Sequence, residues 1–128
     1  MNANRSTQWL LCAASLLLLA ACGREKIESV TYADVKPIFD EYCVSCHQPG
    51  QPGYESSGLD MSSYEAIMQG TRFGEVVLPG DPQTSALVML LEGRADPSIR
   101  MPHGDAPQPF ESQVDTIREW VAQGAPLR

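Results

Sequence analysis

The chain has 128 residues, with 16 acidic side chains against 9 basic ones and a formal net charge of −7. That length allows one small domain, and the acidic balance excludes a surface built for nucleic acid. The four cysteines form two unlike pairs, Cys12 with Cys22 and Cys43 with Cys46, so no spread-out framework exists for a disulfide-stapled fold.

The first 21 residues read as an export leader. Arg5 supplies a positive start, and Trp9 to Ala21 is an apolar run around Leu16-Leu17-Leu18-Leu19. The run is shorter than the roughly 20 apolar residues that cross a bilayer, which favours a cleaved signal over a span. It ends Leu19-Ala20-Ala21-Cys22, which resembles the lipobox of bacterial lipoproteins. That resemblance implies lipidation of Cys22 and a mature chain that begins there. Cleavage would remove Arg5 and leave 8 basic against 16 acidic residues. Residues 22–29 are polar and charged and read as a tether, which leaves 30–128 as the domain.

Tyr32 to Tyr42 is the first helix candidate, because Tyr32, Val35, Phe39 and Tyr42 recur at helical spacing. Thr31 with Asp34 has the form of an N-terminal cap, but Pro37 makes Asp34 the better cap, which would place the proline inside the first turn. The helix runs straight into Cys43-Val44-Ser45-Cys46-His47. This is C-x-x-C-H, the attachment signature of a c-type haem. Two thiols three positions apart can add across the two vinyl groups of one porphyrin, and the histidine directly after them can supply an axial nitrogen to the iron. Covalent attachment of this kind occurs outside the bacterial cytoplasm, in agreement with the leader.

Gln48 to Gly58 carries two Pro-Gly pairs and reads as loop. A backbone carbonyl near Pro49 is the expected acceptor for the second ring proton of His47. Leu59 to Gly70 contains a short helix capped by Ser62 or Ser63 and ended by Gly70. Thr71 to Gly80 is irregular, with an extended piece near Val76 to Leu78. Asp81-Pro82 has the form of a helix start, with Gly93 past its end. Arg94 to Pro109 is a proline-rich loop. Phe110 to Gln123 is the last helix, with Phe110, Val114, Ile117 and Val121 on one stripe and Trp120 beside it. The expected fold is all-α: several short helices and long loops, cytochrome c-like, around one covalent haem whose apolar mass supplements a small core.

His47 is the proximal iron ligand in this reading, and Cys43 and Cys46 are the thioether positions. Candidates for the other face are Met61, Met68, Met89, Met101 and His103. Met101 is preferred because it lies on a loop stiffened by Pro102, far enough from His47 for the chain to wrap a ring. A thioether raises the reduction potential relative to a second imidazole. His103 is the alternative distal ligand. Two other readings of the cysteines compete. One is a Cys2His2 zinc set of Cys43, Cys46, His47 and His103, which the adjacency of Cys46 and His47 disfavours. The other is a redox dithiol, which leaves the following histidine unexplained.

The sequence resembles the planctomycete-type cytochrome c domain. The similar stretches are Tyr32-Ala-Asp-Val-Lys-Pro-Ile-Phe39, Cys43 to His47, Gly58-Leu-Asp60, Val77-Leu-Pro-Gly-Asp-Pro82 with Ser85-Ala-Leu87, Arg100-Met-Pro102, and Ile117-Arg-Glu-Trp-Val-Ala-Gln-Gly-Ala-Pro126. The resemblance implies a mono-haem, mainly helical fold with haem thiols at Cys43 and Cys46, a proximal ligand at His47 and a methionine ligand at Met101. His103 departs from the family pattern, which has a second proline or a small residue after Met-Pro. The function expected is a single-electron carrier rather than an enzyme, anchored through Cys22 to a membrane and facing the periplasm of a bacterium. Its expected partners are other redox proteins with a basic docking patch. The alternative is a haem enzyme or ligand sensor with a labile sixth position, for which peroxidase-like activity is the obvious chemistry.

Overall fold

The computed structural model describes residues 29–128. The leader, Cys22 and residues 22–28 of the tether lie outside the described residues. The elements in order are α1 (Tyr32–Tyr42), α2 (Pro52–Ser57), α3 (Tyr64–Gln69), α4 (Ala86–Leu91), a 3-10 turn (Pro97–Ile99) and α5 (Glu111–Ala122). Among the described residues there is no strand, only one isolated bridge between Thr71 and Gly74. The all-α expectation holds.

The first and last helices make the frame, with both α1 and α4 packed on α5. The N-cap of α1 is Thr31, three residues before Asp34. Asp34 does not cap it. Instead the Thr31 amide donates to Asp34 Oδ2 at 2.8 Å and the Thr31 hydroxyl to the same oxygen at 2.9 Å. The Tyr32 amide reaches out of the helix to the Pro126 carbonyl at 2.9 Å. These contacts, together with burial of Tyr32, Val35, Ile38 and Phe39, outweigh the one helical bond that Pro37 removes. Tyr42, expected on the same stripe, is only partly covered.

Trp120 is the centre of the core. It is fully buried, with Phe39 at a ring-centroid distance of 5.9 Å, Tyr32 at 6.3 Å and Tyr64 at 6.4 Å. Its indole N–H donates to the Pro126 carbonyl at 3.0 Å, and the Tyr64 hydroxyl donates to Ala125 O at 3.0 Å. The C-terminal hook therefore satisfies polar atoms of the aromatic cluster and ties α1, α3 and α5 together. Burying an indole of this size stabilises the fold by roughly 4–6 kcal/mol before conformational entropy is subtracted.

Three expectations need correction. Gln48 to Gly58 is not all loop, because α2 forms within it: Pro52 occupies the first helical position and Gly58, at φ 77°, ends it. Asp81-Pro82 does not start a helix. The Asp81 carboxylate accepts the Gln83 and Thr84 amides at 3.0 and 3.1 Å and so closes a tight turn. The buried Ser85 hydroxyl then accepts the Leu78 amide and donates to Asp81 O, each at 2.8 Å. Helix α4 begins only after Ser85. Phe110 is not on the buried stripe; it is the N-cap of α5 and is 72% exposed. Ser63 and Gly70 bound α3 as expected, with the Ala66 amide donating to Ser63 Oγ at 3.2 Å.

Candidate haem site

The motif lies where α1 ends. The Cys43 and Val44 amides both donate to Phe39 O, at 2.9 and 3.0 Å. The Cys46 and His47 amides then both donate to Cys43 O, at 3.1 and 2.9 Å. Shared acceptors of this kind let the chain leave the helix in one compact turn. Cys43, Cys46 and His47 thus sit on a single backbone unit whose root, Phe39, is fully buried against Trp120.

The three side chains have different surroundings. Cys43 is buried and Cys46 exposed, and neither is in a disulfide. Burial pushes the Cys43 thiol up to about 12, with neighbouring Cys46 adding to the effect. A nucleophilic or redox-active thiol is favoured by the opposite shift, so burial argues against Cys43 as the reactive half of a dithiol. His47 is half-buried, and burial lowers its pKa; the Leu59 backbone facing the ring acts in the other direction. The neutral imidazole that results is the form that binds a metal.

His47 Nδ1 is buried without a hydrogen-bond partner. No carbonyl near Pro49 receives it. The Leu59 backbone faces the ring and favours its protonated form. What covers the ring is α2. A Cβ placed on Gly53 would lie 2.8 Å from His47 Cε1, 3.0 Å from Nδ1 and 2.7 Å from Cys46 O. The Tyr54 amide donates to Cys46 O at 3.2 Å, and the Met61 amide donates to His47 O at 2.7 Å. With Nδ1 walled in, Nε2 is the nitrogen left for a metal. Sequence reasoning missed Gly53, because a glycine among two Pro-Gly pairs reads as punctuation.

The distal candidates are separated. Met101 is half-buried, and its amide donates to Leu90 O at the end of α4 at 3.3 Å. Met61 is buried in the core, and Met68 packs partly against it. His103 is exposed. It lines a surface hollow of about 470 Å³ with Pro97, Arg100, Pro102 and Gln108, and none of Cys43, Cys46 or His47 reaches that hollow. No cluster of three or more His, Cys, Asp or Glu side chains suited to a metal occurs among the described residues. A zinc set of Cys43, Cys46, His47 and His103 is therefore not assembled.

Two thiols and an imidazole on one turn, with Nε2 left for a metal, and a half-buried thioether on a separate loop fit a haem bound through thioethers. They do not fit a bare metal ion. The fold and the site together define a helical c-type haem protein. The family model described as planctomycete cytochrome C matches residues 43–105, so this segment is a domain similar to that family. The match begins at Cys43 and extends past Met101 and His103. Helices α1 and α5 lie outside it, although the resemblance read from the sequence extends over them. The family implies covalently bound haem c. No curated protein and no solved structure shows a significant match.

Proposed function

We propose that this protein is a single-electron carrier with one haem, joined by thioethers to Cys43 and Cys46 and ligated by His47 on one face and Met101 on the other. The observation that carries the reading is the placement of Cys43, Cys46 and His47 on one hydrogen-bonded turn at the end of a packed helix. A carrier needs little rearrangement between its oxidised and reduced forms, and groups held on a rigid element meet that need. The haem supplies the one-electron couple. The protein supplies axial ligands, burial and a docking surface, which set the potential and the approach of partners.

Met101 is favoured over His103 by its half-buried position and its backbone bond to α4, whereas His103 is exposed on a different hollow. In this reading the chain is exported, lipidated at Cys22 and held at a membrane facing the periplasm. The support is the leader sequence and the need of haem c for an extracytoplasmic assembly site. No helix of the described residues is long and apolar enough to cross a membrane. The acidic balance of the chain suits a redox partner with a basic patch.

Mass spectrometry of the exported protein tests the cofactor: one haem mass on a peptide containing Cys43 and Cys46 is expected, and its absence overturns the reading. The optical spectrum tests the function. A low-spin oxidised form bearing the thioether-to-iron charge-transfer band is expected. A high-spin spectrum that shifts with added CO or peroxide would instead identify an enzyme or sensor.

A further inference from the structure

Gly53 is in an unusual place. It is the second residue of α2, where glycine weakens a helix by about 1 kcal/mol relative to alanine. Its backbone does not explain it, since Gly53 is not among the positive-φ glycines of the chain. Alanine could adopt the same conformation. What alanine could not do is fit. Its Cβ would come within 2.8 Å of His47 Cε1 and 2.7 Å of Cys46 O.

The rest of α2 is fastened so that this contact cannot relax easily. The Ser56 and Ser57 hydroxyls both donate to Gly53 O, at 3.0 and 2.6 Å. Ser57 Oγ also accepts the Leu59 amide at 3.1 Å. From the other side, the Tyr54 amide is bonded to Cys46 O. The bare backbone at Gly53 is thereby pressed against the imidazole from a fixed position. In most metal-ligating histidines the second ring nitrogen is held by a hydrogen bond, which sets the ring plane. Here Nδ1 has no close hydrogen bond, and the Leu59 backbone faces the ring only as a weaker partner.

We propose that Gly53 is a positioning residue for the proximal ligand: van der Waals contact with the Gly53 backbone sets the imidazole plane of His47, alongside the Leu59 backbone that faces the ring. The proposal rests on His47 being the axial ligand. Close-packed interiors transmit a displacement of a few tenths of an ångström rather than absorb it, so an added methyl at residue 53 must rotate or tilt the ring. A tilted imidazole donates less to the oxidised iron, and the potential rises.

The experiment uses the exported, haem-loaded chain. Reduction potential, the hyperfine-shifted ring-proton resonances of His47 and the thermal midpoint are measured for wild type, Gly53→Ala, Ser57→Ala and Glu55→Ala. Glu55 is an exposed residue of the same short helix and serves as the control. The expected result for Gly53→Ala is an intact haem adduct, a raised potential and displaced His47 resonances. Ser57→Ala, which frees Gly53 O from its shortest bond, should displace the same resonances less. Glu55→Ala should leave them at their wild-type positions. Unchanged resonances and potential in Gly53→Ala overturn the proposal, as does an equal displacement in Glu55→Ala. Should Gly53→Ala not fold, Ser57→Ala decides: wild-type resonances in that variant overturn it. A wild-type protein that lacks the haem adduct, or whose His47 shows no hyperfine shift, fails the proposed function itself and is recognised before any variant is compared.

Discussion

The two sides of the proposed site are built differently. The proximal side is one continuous piece of secondary structure: α1, the turn Cys43 to His47, and α2 folded back on it. Its amides are bonded to carbonyls of the same piece, from Phe39 O through Cys43 O to Cys46 O. The distal side is a loop, Arg94 to Pro109, of which most residues are exposed. Met101 is held there by one amide bond to Leu90 O, and the root of the loop is held by charge. Glu92, just past α4, takes ion pairs from Arg94 and from Arg118 of α5. Arg94 also donates to the Gln83 and Pro82 carbonyls at 2.9 and 3.2 Å. In the proposed ligation, therefore, local chain geometry places His47, whereas tertiary contacts that a single substitution can alter place Met101.

The largest effect should come from breaking the proximal side at its covalent anchor. Replacing both Cys43 and Cys46 by serine should abolish the haem adduct, read by mass spectrometry and by loss of the visible absorption bands. Adducts at wild-type level would refute the assignment of the thiols. Next is the packed root of that side. Trp120→Ala removes the centre of the aromatic cluster and should cost about 3–5 kcal/mol of stability, measured by denaturant unfolding. A loss below about 1 kcal/mol would show that α1 and α5 do not depend on it.

On the distal side the effects should be smaller and spectroscopic. Met101→Ala should leave the haem attached, lower the potential and open the iron to added ligands. If potential and spectrum stay as in wild type, Met101 is not the ligand. His103→Ala should change neither, because that side chain is exposed; a changed spectrum would reverse the assignment of the two residues.

The smallest effect concerns the ion pairs at the loop root. Burial raises the pKa of the Glu92 carboxyl, but hydrogen bonds from Arg94 and Arg118 outweigh it and hold the value below the ordinary 4.5. A carboxyl depressed in the folded state stabilises the fold above its unfolded value, and the contribution disappears as pH falls through the folded value. Wild type should therefore lose stability relative to Glu92→Gln as pH drops below about 4.5, the ordinary value of this carboxyl. An unchanged difference across that range, followed by thermal unfolding, would show that the pairs contribute nothing.

Much of the proximal side was legible from residue order. C-x-x-C-H is a local motif whose chemistry depends on spacing, and the apolar spacing of α1 and α5 placed both helices nearly at their observed limits. The exceptions are instructive. Pro37 favours Asp34 as the cap, but Thr31 caps the helix through its pair with Asp34, and the distant Pro126 carbonyl adds a bond that residue order does not show. Asp81-Pro82 has the residue types of a helix start, yet Ser85 turned the segment into a closed loop, because its hydroxyl could satisfy Leu78 and Asp81 at once. Phe110 fits the spacing of the α5 stripe, but it is the first residue outside the helix and no element covers it.

By itself the sequence determined the chemistry of the haem side: two thiols and an imidazole on one turn, after a helix with one apolar face, in an acidic chain. These depend on neighbours in the chain, and neighbours can be read from order. Only the tertiary structure decided what touches that imidazole. The contact of Gly53 with His47 depends on α2 folding back across the motif, and the position of Met101 depends on α4 and α5 holding the root of its loop. Both are contacts between segments brought together by packing, where shape and space decide, and a glycine or a methionine looks the same in the sequence whether or not it meets a partner.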